Sequence, residues 1–225
     1  MCLGQPVSDL AFDAWLDFVF AHDDPAWHTQ LSADYWTGPP EKTVEYLTSL
    51  FESPQVLVDR YGEPQISAGL DFLVREQMVA TLEPSVPWPQ VEGCLRSNLP
   101  LFEQLFARRC RPELSHGRGR EVSTLNTTCY MWWDQFPTWG RPQDPAQGTY
   151  DRLVLHVLKR LLVLDNEACL ESTLHGLGHW HLNYPVVAGR IVDGFLAAGR
   201  TVSGPLRDYA RTAREGAARD HPRTH

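Results

Sequence analysis

Lysine is nearly missing from this chain. Of twenty basic residues only Lys42 and Lys159 are lysines, so arginine carries most of the positive charge. We read that bias as coding composition before function. No uninterrupted apolar run approaches the ~18 residues that a transmembrane helix requires. The opening MCLGQPVSDLAFDAW lacks the basic start and long apolar stretch of a signal peptide. The five cysteines, Cys2, Cys94, Cys110, Cys129 and Cys169, form no CxxC pair, which excludes a zinc ribbon or a dithiol redox motif. Together these absences predict a reduced, cytoplasmic protein with buried free thiols and no membrane association. The phosphate-binding and nucleophile motifs GxGxxG, GxxxxGK[ST] and GxSxG are also missing. The nearest glycine-rich run, HGRGR at 116–120, follows no strand, so phosphate binding has no support. No cofactor is implied.

Charge narrows the partners further. The net charge is −8. Residues 1–105 carry sixteen acids against four bases, whereas 106–225 carry twelve acids against sixteen bases. The acidic balance opposes nucleic-acid binding, which draws on phosphate attraction. It leaves an acidic N-terminal half that could steer a basic protein partner.

What the chain does have is helical periodicity. Hydrophobic residues make up 43% and charged residues 21%, a globular composition. A helix is predicted from Asp9 to Phe20, with Ser8 or Asp9 as N-cap. Pro39 and Pro40 open a second, through about Phe51, because a first turn has no use for the missing N–H. The segment QVLVDRYG then links to a helix over 63–77. Prolines 84, 87 and 89 mark a break, followed by helical patterns at 90–97 and 100–110. RPELSHGRGRE, 111–121, reads as an exposed loop. A buried helix suits TLNTTCYMWW, and three clear helices follow at about 150–164, 166–182 and 186–198. From Gly204 onward the residues favour helix but offer little apolar surface, so 204–225 is expected to be a partly frayed tail. The whole is read as one all-α domain, 1–225, of about eight to ten helices in stacked antiparallel pairs. The breaks near 84–89 and 111–121 are its candidate divisions.

One stretch, VLKRLLVLDNEACLESTLHGLGHW (157–180), resembles a HEAT-type helical repeat. Asp165 follows the first helix, Cys169 stands where valine is common, and Leu177, Gly178 and Trp180 close the second helix. Leu170 departs from the pattern, standing where such repeats often place an arginine. The resemblance implies stacked helix pairs in an alpha-alpha superhelix, each burying a face that its neighbours complete.

The same stretch holds the strongest chemical signal. At 100° per residue, Leu170, Leu174, Leu177 and His181 form one stripe, while Glu171, His175 and His179 share another. Histidines at i, i+4 are the spacing of helical zinc sites. The glutamate base of HExxH is missing here, since Gly176, Leu177 and Gly178 intervene. A third ligand would have to come from elsewhere, with His156, Asp165, Asp134 or His116 conceivable donors that no spacing selects. The sequence favours a simpler reading of the histidines, packing against a neighbouring helix that the glycines allow to approach closely. A second candidate is aromatic: Trp27, Tyr35 and Trp36, with Trp132, Trp133 and Trp139, could line a pocket for a flat or apolar ligand. Burial as loop anchors also accounts for them. The sequence therefore favours a non-enzymatic protein-binding or adaptor module. The alternatives are a metal-dependent hydrolase or lyase using His175 and His179, or a small-molecule binder with an aromatic pocket.

Overall fold

The computed structural model describes residues 6–24, 26–27, 35–116, 123–137 and 140–216; of Pro6, Val7 and Tyr35 only the backbone is described. The fold is all-α. Among the described residues the exception is a two-residue parallel pairing of β1 (Pro6–Val7) with β2 (Tyr35–Trp36). The chain divides into two compact units, residues 1–101 and 102–225. That division falls between the two breaks marked from the sequence.

The first unit contains α1 (Phe12–Phe20), α2 (Pro40–Glu52), α3 (Gln55–Arg60), α4 (Glu63–Phe72) and α5 (Trp88–Leu101). α1 starts later than predicted. Ala11 is its N-cap, and Asp9 instead accepts from Lys42 Nζ at 2.9 Å. Pro40 does occupy the first turn of α2. The segment QVLVDR, read as a link, is the short helix α3. α4 passes into a π-helical turn, Leu73–Gln77, and a 3₁₀ turn, Met78–Leu82. α5 runs through Pro100 instead of breaking before it. Helical backbone continues past Pro100 into a π-helical turn and on to Arg109, so the proline costs a hydrogen bond without ending the helix. The core of this unit is aromatic and branched, with Trp15, Leu16, Phe20, Leu47 and Phe51 fully buried.

The second unit opens with a π-helical turn, Phe102–Phe106, and α6 (Ala107–Arg109). It continues through α7 (Thr124–Gln135), α8 (Gly148–Leu161), α9 (Glu167–Trp180), α10 (Pro185–Ala197) and α11 (Gly204–Arg214). α9 is its centre and packs against α7, α8, α10 and α11. Twelve of its fourteen residues are buried, which explains why no single polar face could be read from its sequence. The segment from Gly204 supplies more apolar surface than its composition suggested. Ser203 caps α11 by accepting from Leu206 N, and Leu206, Tyr209, Ala210 and Ala213 are buried. The end of the tail, 217–225, lies outside the described residues, as do 117–121 of the loop predicted over 111–121. No described helix is long and apolar enough to cross a membrane.

Four cysteines, Cys94, Cys110, Cys129 and Cys169, are free and buried. Burial pushes the Cys94 thiol up to about 12 and Cys129 well above its usual value, so both stay protonated and inert.

Candidate metal centre

α9 is fixed before it contributes any chemistry. Asn166 caps it by accepting from Ala168 N at 2.9 Å, and its amide donates to the carbonyls of Ala107 and Cys110 at 3.1 and 3.0 Å. One side chain thus ties the start of the helix to the turn that ends α6. α7 is capped in the same way by Ser123. The two helices meet at Gly176, where an added Cβ would lie 2.7 Å from Trp133 Cβ. The glycine costs helix propensity and in return lets α7 approach closely. Asp134, the next residue of α7, is thereby brought against His175 and His179.

Among the described residues these three form the one cluster with metal-ligand character, their donor atoms all within 4.8 Å of one another. His175 Nε2 lies 3.0 Å from Asp134 Oδ1 and 3.2 Å from His179 Nε2. His179 Nε2 also contacts Asp134 Oδ1. The imidazole rings stand at 87° to each other, meeting edge to face and not stacked. Ligands bound at about 2.0–2.2 Å from a common ion stand roughly 3.0–3.4 Å apart, the separation seen between the two Nε2 atoms. Side-chain exposures are 6% for His175, 12% for Asp134 and 15% for His179. The cluster is therefore largely sheltered from solvent.

Around it lies a set of phenols. The Tyr209 hydroxyl is 2.6 Å from His175 Nδ1 and 3.2 Å from the Tyr130 hydroxyl. The hydroxyl at Nδ1 fixes the ring's orientation and leaves Nε2 facing Asp134 and His179, the usual role of such outer partners. Burial raises both tyrosines, Tyr130 to about 12, so both remain neutral hydrogen-bonding groups. Burial also works against the Asp134 carboxylate. Hydrogen bonds from His175 and His179, and their charge when protonated, outweigh it and hold Asp134 below the ordinary range.

The sequence candidates separate at this point. His175 and His179 converge, and Asp134 is the donor that no spacing could select. Glu171, on the same stripe, is fully buried and engaged elsewhere: it accepts from Ser115 N at 2.6 Å, from His116 N at 3.1 Å and from the His116 ring. It anchors the 115–116 loop, and His116 stacks on Tyr209 at 4.5 Å. His156 is exposed on α8, and the Asp165 carboxylate points to solvent. Trp27 and Trp36 belong to the first unit, where Trp27 stacks on His22 at 3.9 Å and Trp36 donates to Thr43 at 2.8 Å. Trp132 and Trp133 are buried in the second unit against Phe102. The side chain of Tyr35, and all of Trp139, lie outside the described residues. Tyr209 and Tyr130 were not foreseen. Asp134 did carry a signal, being the only charged residue in TLNTTCYMWWDQ, where a lone acid on an otherwise uncharged helix needs a partner.

Comparison with known proteins adds no family: no family model, curated protein or solved structure matches this chain.

Proposed function

We propose that Asp134, His175 and His179 bind one divalent transition-metal ion and that the chain is a metal-dependent hydrolase or lyase. The observation that carries this reading is the convergence of two imidazole nitrogens and one carboxylate oxygen from two helices within 4.8 Å. Two histidines and a carboxylate suit zinc, iron(II) or manganese better than calcium or magnesium. Three protein ligands leave coordination positions for water and substrate, whereas structural zinc sites are closed by four. An ion held in this way supplies Lewis-acid polarisation and a water acidified toward neutrality. The chain's own part is to orient the ligands, with Tyr209 holding the His175 ring and Tyr130 in contact with the Tyr209 hydroxyl. This reading is preferred to the adaptor role, which rested on the helix-pair rhythm, the absence of any complete catalytic motif and the charge asymmetry. Folding supplies from α7 the third ligand that linear spacing does not.

The test is elemental analysis of chelator-free protein reconstituted separately with zinc, iron(II) and manganese, beside Asp134→Asn and His175→Ala/His179→Ala. One equivalent of one metal in the native sequence, lost in both variants while circular dichroism is unchanged, is the expected result. Less than a tenth of an equivalent of any metal sinks the proposal. Turnover of model esters, phosphoesters or amides by the loaded protein alone then separates a hydrolase from a binding site.

A further inference from the structure

A second feature of the C-terminal unit shares no residue with the metal cluster. Between α8 and α10 runs a groove with a volume of about 890 Å³. Each helix turns a full stripe toward it. Arg152, Leu155, His156, Lys159, Leu162 and Val163 lie at i, i+3, i+4, i+7, i+10 and i+11 on or just beyond α8. α10 answers with Val187, Arg190, Ile191, Gly194, Phe195 and Ala198 at i, i+3, i+4, i+7, i+8 and i+11.

The floor is apolar, with Leu155 and Phe195 buried. The walls include Val163, in the turn after α8, and Val187 of α10, which are 66% and 42% exposed. At Gly194 a Cβ would meet nothing within 4 Å, so the groove is open down to the α10 backbone.

Charge identifies the occupant. None of the lining residues is acidic, while Arg152, Lys159, Arg190 and Arg200 are cationic and His156 adds a titratable ring. Two of these cations are already engaged. Arg200 donates to the carbonyls of Leu162 and Leu164 and stands 4.0 Å from Asp165; Arg152 donates to Thr149 at 3.0 Å. No described residue pairs with Lys159 or Arg190, one on each helix. An apolar trough flanked by exposed cations and free of acids matches a ligand with an alkyl body and a single anionic head. The volume is that of a small-molecule site, about 300–1,000 Å³, and not that of a protein interface.

We infer that the α8–α10 groove binds a free long-chain fatty acid, its alkyl chain along Leu155, Ile191 and Phe195 and its carboxylate at Lys159 and Arg190. The inference does not depend on the metal reading. The experiment is calorimetric titration of the full chain with dodecanoate below its aggregation concentration. Parallel arms use dodecyltrimethylammonium, butanoate, and vesicles of phosphatidylcholine with and without phosphatidylglycerol. Saturable 1:1 binding of dodecanoate alone is expected, weakened about tenfold or more in Lys159→Glu/Arg190→Glu and in Gly194→Leu. The leucine fills open space and removes a helical glycine, so it leaves the fold intact; were it to unfold the protein, the charge variant decides the outcome. His175→Ala binds dodecanoate as the native sequence does, which separates this result from that of the metal site. Undetectable binding, equal binding of the cationic amphiphile, an unaffected charge variant, or binding to anionic vesicles alone each overturns the inference.

Discussion

Tyr209 occupies the position in this molecule where one oxygen atom has the most to do. Its hydroxyl holds Nδ1 of His175 and meets Tyr130, while its ring carries His116. Tyr209→Phe keeps the stacking and removes the hydrogen bonds to His175 and Tyr130. The expected result is a metal affinity lower by about 10–100-fold in a chelator competition. Stability should fall by about 1–2 kcal/mol in urea, the cost of leaving a buried ring nitrogen unpaired. A variant with unchanged affinity would show that the ring is oriented by packing alone. None of this could be read from the sequence, because Tyr209 stands 34 residues beyond His175 in a tail with little apolar pattern. The histidine pair was legible because i, i+4 spacing on a helix is a local property. The partners of that pair are set by tertiary packing, and no local pattern encodes them.

At the scale of elements, the contact of α7 with α9 decides whether the site exists. Gly176 is the thin point of that contact, and Gly176→Ala places a methyl group 2.7 Å from Trp133 Cβ. The backbones must separate, at a cost of about 1–3 kcal/mol that the gain in helix propensity does not recover. The separation also carries Asp134 away from the histidines. Thermal melts and metal titrations should therefore deteriorate together, and an alanine variant that melts lower yet binds metal normally would refute the link. The helices themselves were mostly legible. Their apolar periodicity survives in α2, α8 and α10, each of which has a solvent side. Prediction failed where a rule of thumb met a local exception: helical backbone runs on through Pro100, and α3 forms in a segment too short to show a period. In α9 the period is hidden because every side is buried, so the projection put its histidines on a face without saying what that face touches.

Across the whole molecule, buried neutral acids set a one-sided dependence on pH. Cys94 in the first unit and Tyr130 in the second are both pushed up to about 12 by burial. In the unfolded chain such groups ionise near 8.5 and 10, so the unfolded state gains charge first. Their contribution to stability is complete below about pH 8.5 and declines as pH rises through each folded-state value, up to about pH 12. Urea midpoints should hold steady from pH 7 to 8.5 and fall steeply above pH 10. Tyr130→Phe should flatten the upper limb by about 2–3 kcal/mol. A midpoint insensitive to pH up to 12 would contradict the burial of both groups.

The enclosure of α9 has a further consequence, for how this chain can change over evolutionary time. A helix with one buried stripe can exchange its outer residues freely, but α9 has almost no outer residues. Most substitutions in Glu167–Trp180 must be accommodated by adjustments in several neighbouring helices at once, and the two histidines must also keep their aim. Such a segment accepts few mutations, whereas α10, with its exposed positions, accepts many. Divergent relatives of this protein should therefore be recognisable by α9 long after the rest of their sequences has drifted apart.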